Sequence, residues 1–294
     1  MSAGAASPSL PADLLELAKP RITLLVTLTT AAGFAVATPY GEVAWSLFAH
    51  TVVGTALVAA GSAALNQYFE RELDARMRRT ANRPLPAGRR RPATALGWGL
   101  LLGTLGIAEL LLAVNTLTAA LAAATLLAYV FVYTPLKTRT SFATIVGAVP
   151  GAAPPVLGWT GATGELELGA WLLFALLFLW QLPHFLSIAW LYREDYRRAG
   201  MHLLTIDDPD SRRTTRQAVV WALALVPISL MPSAVGLGGT LYLIGAAAAG
   251  SVFVSAAIGF ARAPRVESAR RLLLTSVFYL PAVLGVLVAD HWTP

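Results

Sequence analysis

The chain has 294 residues, of which 56% are hydrophobic and 13% charged, with a mean hydropathy of +0.63 and a formal net charge of +6. That balance excludes an ordinary soluble domain, because apolar runs near 20 residues are the mark of membrane helices. The absence of cysteine excludes disulfides, thiolate metal sites, thiol nucleophiles and covalently attached c-type haem. Basic residues confined to loops, without a nucleic-acid fold, argue against RNA or DNA and for anionic headgroups.

In chain order, residues 1–12, rich in Ser, Ala, Gly and Pro, read as a disordered tail. Asp13 to Lys19 read as a short interfacial helix, and Pro20 suits the first turn of the next one. Nine spans follow, near 22–39, 46–66, 94–114, 117–135, 142–160, 169–190, 217–235, 238–260 and 271–289. The first lacks the basic start and cleavage site of a secretory signal. With nine spans and a cytoplasmic amino terminus, all 22 Lys and Arg fall in cytoplasmic loops or at their boundary, while the opposite loops hold only acidic charge. The expectation is therefore a single membrane domain over 13–294, in an inner membrane, with the carboxy terminus on the far side.

Where the second span ends, Asn66, Glu70 and Asp74 stand four apart, so three oxygen-bearing side chains share one helix face. Eight arginines interleave or follow: Arg71, Arg76, Arg78, Arg79, Arg83, Arg89, Arg90 and Arg91. Mg²⁺ takes one or two carboxylates plus phosphate oxygens, and guanidinium forks match phosphate geometry, so the stretch suits a magnesium-bridged diphosphate. It equally reads as a helix end with a solvated, topology-setting basic loop. Asp74 is expected at a wet helix end.

A second polar segment, Tyr192 to Gly200, follows the sixth span. Tyr192, Asp195, Tyr196 and Arg198 share a broad face if the helix continues, whereas Glu194 and Asp195 with Arg193 and Arg197 also read as exposed ion pairs. His184, inside the sixth span after Pro183, is either a buried histidine held by a neighbouring helix or part of the site, about 12 Å below the polar mouth. His50 and His202 read as structural or solvated, and Glu109 as reaching the interface. The small residues and prolines of Gly147 to Pro155 predict either a kink lining a cavity or close helix packing.

On these residues the chain resembles the UbiA-type intramembrane prenyltransferases over nearly its whole length. Their Asn-xxx-Asp/Glu-xxx-Asp motif is matched by Asn66, Glu70 and Asp74. Within that family, Asp74 to Thr80 running into Arg83-Pro84-Leu85-Pro86, Tyr133-Thr134-Pro135-Leu136-Lys137, Trp180 to Phe185 and Tyr192 to Tyr196 resemble the subgroup that acts on haem. Tyr192 and Tyr196 stand where most of the family has a second acidic pair. The resemblance implies nine helices around a central cavity, with a polar mouth on the cytoplasmic side. It implies farnesyl diphosphate and haem b as substrates and Mg²⁺ held by Asn66, Glu70, Asp74, Asp195 and Glu194. Arg71, Lys137 and Arg193 are expected on the diphosphate, Tyr192 and Tyr196 near the substrates, and His184 on the haem. A haem A synthase or a terminal-oxidase assembly protein is the implied partner. Other readings are a relative with a phenolic quinone precursor as acceptor, a haem-handling protein without catalysis, and a transporter. Coupling groups of transporters lie near the midplane, unlike the acids here.

Overall fold

Proline punctuates this bundle: Pro20, Pro92 and Pro154 each sit in the first turn of a helix, where a missing amide costs nothing. A computed structural model describes residues 8–293, which contain helices and no strand. In order they are α1 (Leu10–Leu17), α2 (Pro20–Val36), α3 (Trp45–Ala75), α4 (Pro92–Ala113) and α5 (Thr116–Leu127). The last runs through a π-helical segment, Ala128–Tyr133, into α6 (Thr134–Leu136). Then come α7 (Ala143–Gly151), α8 (Pro154–Thr163), α9 (Leu168–Leu191), α10 (Arg193–Arg198), α11 (Arg212–Ala234), α12 (Thr240–Arg262) and α13 (Val266–His291).

Seven of these are long and apolar enough to cross a membrane: α3, α4, the continuous Thr116–Leu136, α9, α11, α12 and α13. The protein is an integral membrane protein. Of the nine expected spans, the first is α2, an apolar helix of 17 residues. The fifth is broken at Ala152 and Ala153 into α7 and α8, as its prolines imply. The helix α1 starts at Leu10, so three residues expected in the amino-terminal tail are helical. Residues 1–7 of that tail lie outside the described residues.

Large apolar side chains such as Leu24, Leu112 and Phe278 are exposed on the outside, as lipid-facing positions require. Inside, small residues bring backbones together. A Cβ on Gly33 would lie 2.1 Å from the Pro155 carbonyl oxygen, and one on Gly158 would lie 2.0 Å from that of Thr30. These two glycines seat α8 against α2 and thereby place α7, which borders the site. Gly158→Ala is expected to cost about 3 kcal/mol, near the top of the overpacking range, read as a lowered unfolding temperature in detergent. At the other end of α3, His50 and Glu109 pair at 2.6 Å and clamp it to α4.

The helix α1 is tied down rather than loose on the surface. Asp13 is fully buried and takes Arg89 Nε at 3.0 Å and Arg90 Nε at 2.7 Å. Gln67 donates to the Leu17 carbonyl at 2.8 Å, and the Trp98 indole to that of Leu14 at 3.2 Å. Lys19 follows in a left-handed backbone conformation (φ 48°), which turns its side chain back toward α3.

Candidate active site

The last turns of α3 carry Asn66, Glu70 and Asp74 on the face turned into the bundle, where they are 1%, 4% and 1% exposed. Asp74 is thus buried, not at a wet helix end: the loop over 76–91 folds back across it, and the Thr80 hydroxyl donates to the Asp74 carbonyl at 2.8 Å. All three line one cavity of ≈ 190 Å³ with Lys19, Arg79, Arg83, Tyr129, Tyr133, Lys137, Phe185 and Tyr196. Four basic and two acidic side chains face this space, an excess of basic groups.

Each motif side chain is held by one basic residue. Lys19 Nζ donates to Asn66 Oδ1 at 2.9 Å, and Arg83 Nη1 to Asp74 Oδ2 at 2.7 Å. Lys137 Nζ forms an ion pair with Glu70 Oε1 at 2.6 Å. Asn66 Nδ2 donates to Thr134 Oγ1 at 3.2 Å, which fixes the orientation of its amide. Burial pushes the Lys19 ammonium down to about 7, and Arg83 adds to the effect while Glu70 opposes it. Burial would likewise lower Lys137, but Glu70, with Tyr133 and Tyr129, outweighs it and holds that ammonium above the ordinary lysine range.

The π-helical segment is why Tyr129, Tyr133 and Lys137 reach the same cavity. It widens the turn so that the Lys137 ammonium lies over the Tyr133 ring at 4.4 Å and still meets Glu70. No sequence signal marks that turn.

The second polar segment is only partly at the site. The helix does not continue: Tyr192 breaks it (φ −109°, ψ 21°), and α10 sets off anew. Arg79 joins the segment to the cavity. Its backbone amide donates to Asp195 Oδ2 at 3.2 Å, its Nη2 donates to the Tyr196 hydroxyl at 3.1 Å, and its guanidinium lies over the Tyr192 ring at 5.1 Å. Asp195 also accepts from Arg198. Burial pushes the Tyr196 hydroxyl up, so it serves as a neutral hydrogen-bond partner. Glu194 faces outward, paired with Arg197 at 2.6 Å. Arg193 lies over Trp190 at 4.6 Å, and Arg71 donates to the Tyr68 carbonyl at 2.9 Å; neither lines the cavity. His184 Nδ1 lies 2.7 Å from Ser276 Oγ and stacks on Trp180, behind the wall that Phe185 presents. Lys19, Arg79 and Arg83 are the site residues the motif reading passed over. The loop arginines differ in sequence only by position, and nothing there distinguishes the two in the cavity from the two bound to Asp13.

Among the described residues no cluster of three acidic or histidine side chains forms a ready metal cage. Two carboxylates and an amide oxygen on one face do suit a hard cation that shares its shell with phosphate oxygens, which is the habit of Mg²⁺. Among soft-metal ligands the chain has no cysteine at all.

An all-helical membrane bundle with a cationic cavity over an oxygen-rich helix face is of a class suited to a polyanion at the membrane surface. The chain belongs to the UbiA prenyltransferase family, whose model matches residues 26–281. It is 47% identical over 288 residues to the protoheme IX farnesyltransferase of Solibacter usitatus (strain Ellin6076), covering 95% of this chain and 98% of that one. It is 48% identical over 271 residues to that of Anaeromyxobacter sp. (strain Fw109-5), covering 91% and 90%. Among solved structures, one described as digeranylgeranylglyceryl phosphate synthase superposes with a TM-score of 0.80 at 17% identity, over 96% of this chain and 98% of the other. A UbiA homolog from Archaeoglobus fulgidus bound to GPP and Mg²⁺ superposes with a TM-score of 0.65 at 14% identity, over 94% and 99%. At those identities the likeness is one of fold.

Proposed function

We propose that the chain transfers the farnesyl group of farnesyl diphosphate to a vinyl group of haem b, with water completing a hydroxyethylfarnesyl substituent and diphosphate released. The observation that carries this reading is the surplus of cations over the Asn66–Glu70–Asp74 face in a cavity with aromatic walls. The name borne by relatives at 47% and 48% identity supports the choice of haem as acceptor.

Lys19, Arg79, Arg83 and Lys137 receive the diphosphate, and each gives up or shares its present partner to do so: the Asn66 amide for Lys19, the Tyr196 hydroxyl for Arg79, and the carboxylates of Asp74 and Glu70 for Arg83 and Lys137. Bound by Asn66, Glu70, Asp74 and Asp195, Mg²⁺ would neutralise the charge that grows on the leaving group. The buried walls keep bulk water from the allylic cation left when the C–O bond breaks, and Tyr129, Tyr133 and Phe185 turn aromatic faces toward it. The vinyl carbon then forms the new C–C bond. Water adds to the adjacent carbon and loses a proton. The isoprenoid tail lies along a largely apolar cavity between α2, α3 and α13, walled by Leu25, Phe34, Phe48 and Leu284. Leu25 is one turn beyond Ile22, which lines the diphosphate cavity. His184, engaged by Ser276, supports the Phe185 wall in this reading rather than the haem. A haem A synthase or oxidase-assembly protein would take the product.

In the same reading the bundle crosses an inner membrane nine times with a cytoplasmic amino terminus. The helix α2 spans about 25 Å and α7 with α8 about 30 Å at 1.5 Å per residue, enough with some thinning. Reporter fusions after Thr80 and Thr205 are expected on the same, cytoplasmic face. Opposite faces would mean that α7 and α8 do not cross.

The decisive assay is incubation of purified protein with haem b, farnesyl diphosphate and Mg²⁺, followed by mass analysis of the pigment. A product heavier by one farnesyl group and one hydroxyl group, together the elements of farnesol, is expected. Prenylation of 4-hydroxybenzoate with none of haem would overturn the acceptor while keeping the donor site.

A further inference from the structure

Beside the diphosphate cavity lies a second cleft of ≈ 190 Å³ that the reaction as described leaves unused. Phe142 and Ile145 line it at the start of α7, Leu182 and Leu186 on α9, and Gln217 and Trp221 on α11. The helix α9 is the partition: Phe185, Ile188 and Ala189 face the diphosphate cavity, while Leu182 and Leu186 face the cleft. Thr144 lines both. It stands on α7 beside that partition and, among the described residues, borders both spaces.

Among the described residues no charged side chain lines the cleft itself, but two arginines stand close in sequence to its polar lining residues. Arg213 precedes Gln217 by four residues and Trp221 by eight, so the three share a face of α11. Arg139 lies two residues before Ser141, which also borders the cleft. Both arginines are exposed, and neither is in an ion pair among the described residues. Below them the walls are apolar and aromatic, and Phe142 is 66% exposed on the outer side.

We propose that this cleft docks haem b by one edge, as the acceptor site of the farnesyl transfer proposed above, on which the inference rests. Haem b is a flat apolar ring with two carboxylates on one edge and its vinyl groups on the opposite one. With the propionates on Arg139 and Arg213, a vinyl edge points inward at Thr144, toward the carbon beside the diphosphate. The cleft is too small for the whole macrocycle, so most of the ring lies against Trp221 and Phe142 and in the lipid. Docking at the partition explains how two bulky substrates meet without sharing one small cavity.

The test uses the full-length protein in detergent. The variant carrying Arg139→Gln and Arg213→Gln is expected to raise KM for haem b about tenfold while KM for farnesyl diphosphate stays within about twofold. The dimethyl ester of haem b, which lacks the propionate charges, should bind the wild type about as weakly as haem b binds this variant, and the variant should not weaken it further. Thr144→Phe, which closes the passage, should depress kcat at saturating substrates while haem titration is unchanged. Unaltered KM for haem in the arginine variant, with haem product still made, overturns the cleft and spares the reaction. Failure of the wild type to make any haem product overturns both. Equal further weakening of the ester in the variant would show that the arginines act on the fold and not on the propionates, which also overturns the cleft.

Discussion

Asp74→Asn is expected to lower formation of the farnesylated haem at least about a hundredfold, a transition-state deficit of about 2.7 kcal/mol. The substitution preserves shape and removes one charge from the face proposed to hold the metal. Burial adds a second consequence. Asp74 takes Arg83 at 2.7 Å in a nearly water-free position, so weakening that charged hydrogen bond costs about 1–3 kcal/mol of stability. The variant should therefore be extracted intact with a lowered unfolding temperature. Combining it with Arg83→Gln separates the two effects: stability recovers in part and turnover does not. Asn66→Ala should lose less activity, since a neutral amide contributes less to metal affinity than a carboxylate. Near-normal turnover of Asp74→Asn at low magnesium would remove this face as the metal site.

For Lys137→Gln the larger effect falls on substrate binding. The ammonium is the partner of Glu70 at 2.6 Å and one of the four cations facing the cavity. Its loss should raise KM for farnesyl diphosphate at least about tenfold, equivalent to about 1.4 kcal/mol. It also leaves a buried carboxylate uncompensated, which typically costs about 3–5 kcal/mol. Adding Glu70→Gln should restore the unfolding temperature without restoring turnover. An unchanged KM in either variant would take Lys137 out of the diphosphate site.

The contrast between these residues shows how far a sequence carries such a site. Asn66, Glu70 and Asp74 were legible because a helix repeats every 3.6 residues and the segment is visibly helical up to its polar end. Lys137 was legible only through the family motif around Tyr133. Arg79 and Arg83 sit in a loop, where spacing carries no direction, and the structure alone distinguishes them from Arg89 and Arg90, which face Asp13. The same limit explains the second segment. A helix extrapolated through Tyr192 puts Glu194 and Asp195 side by side as candidates, and the break there sends Glu194 to solvent and Asp195 to Arg79. At the level of fold, hydropathy found the long apolar helices at once. It read α7 and α8 as one span because hydropathy runs on through Ala152 and Ala153, where the neighbouring prolines signal a kink without saying that the helix stops and restarts.

The wide turn at Ala128–Tyr133 amounts to one residue more than a regular helix would need over the same rise. Regularising the segment to ordinary helical pitch without removing a residue would swing everything after it by about 100°. Lys137 would then leave Glu70 although both residues are retained, and a chain with every motif residue present would have lost its cation over the carboxylate. The wide turn between Tyr129 and Lys137 is thus as much a requirement of this site as the identity of either residue, and a change that regularises it at unchanged length should be read as loss of function before any motif residue is considered.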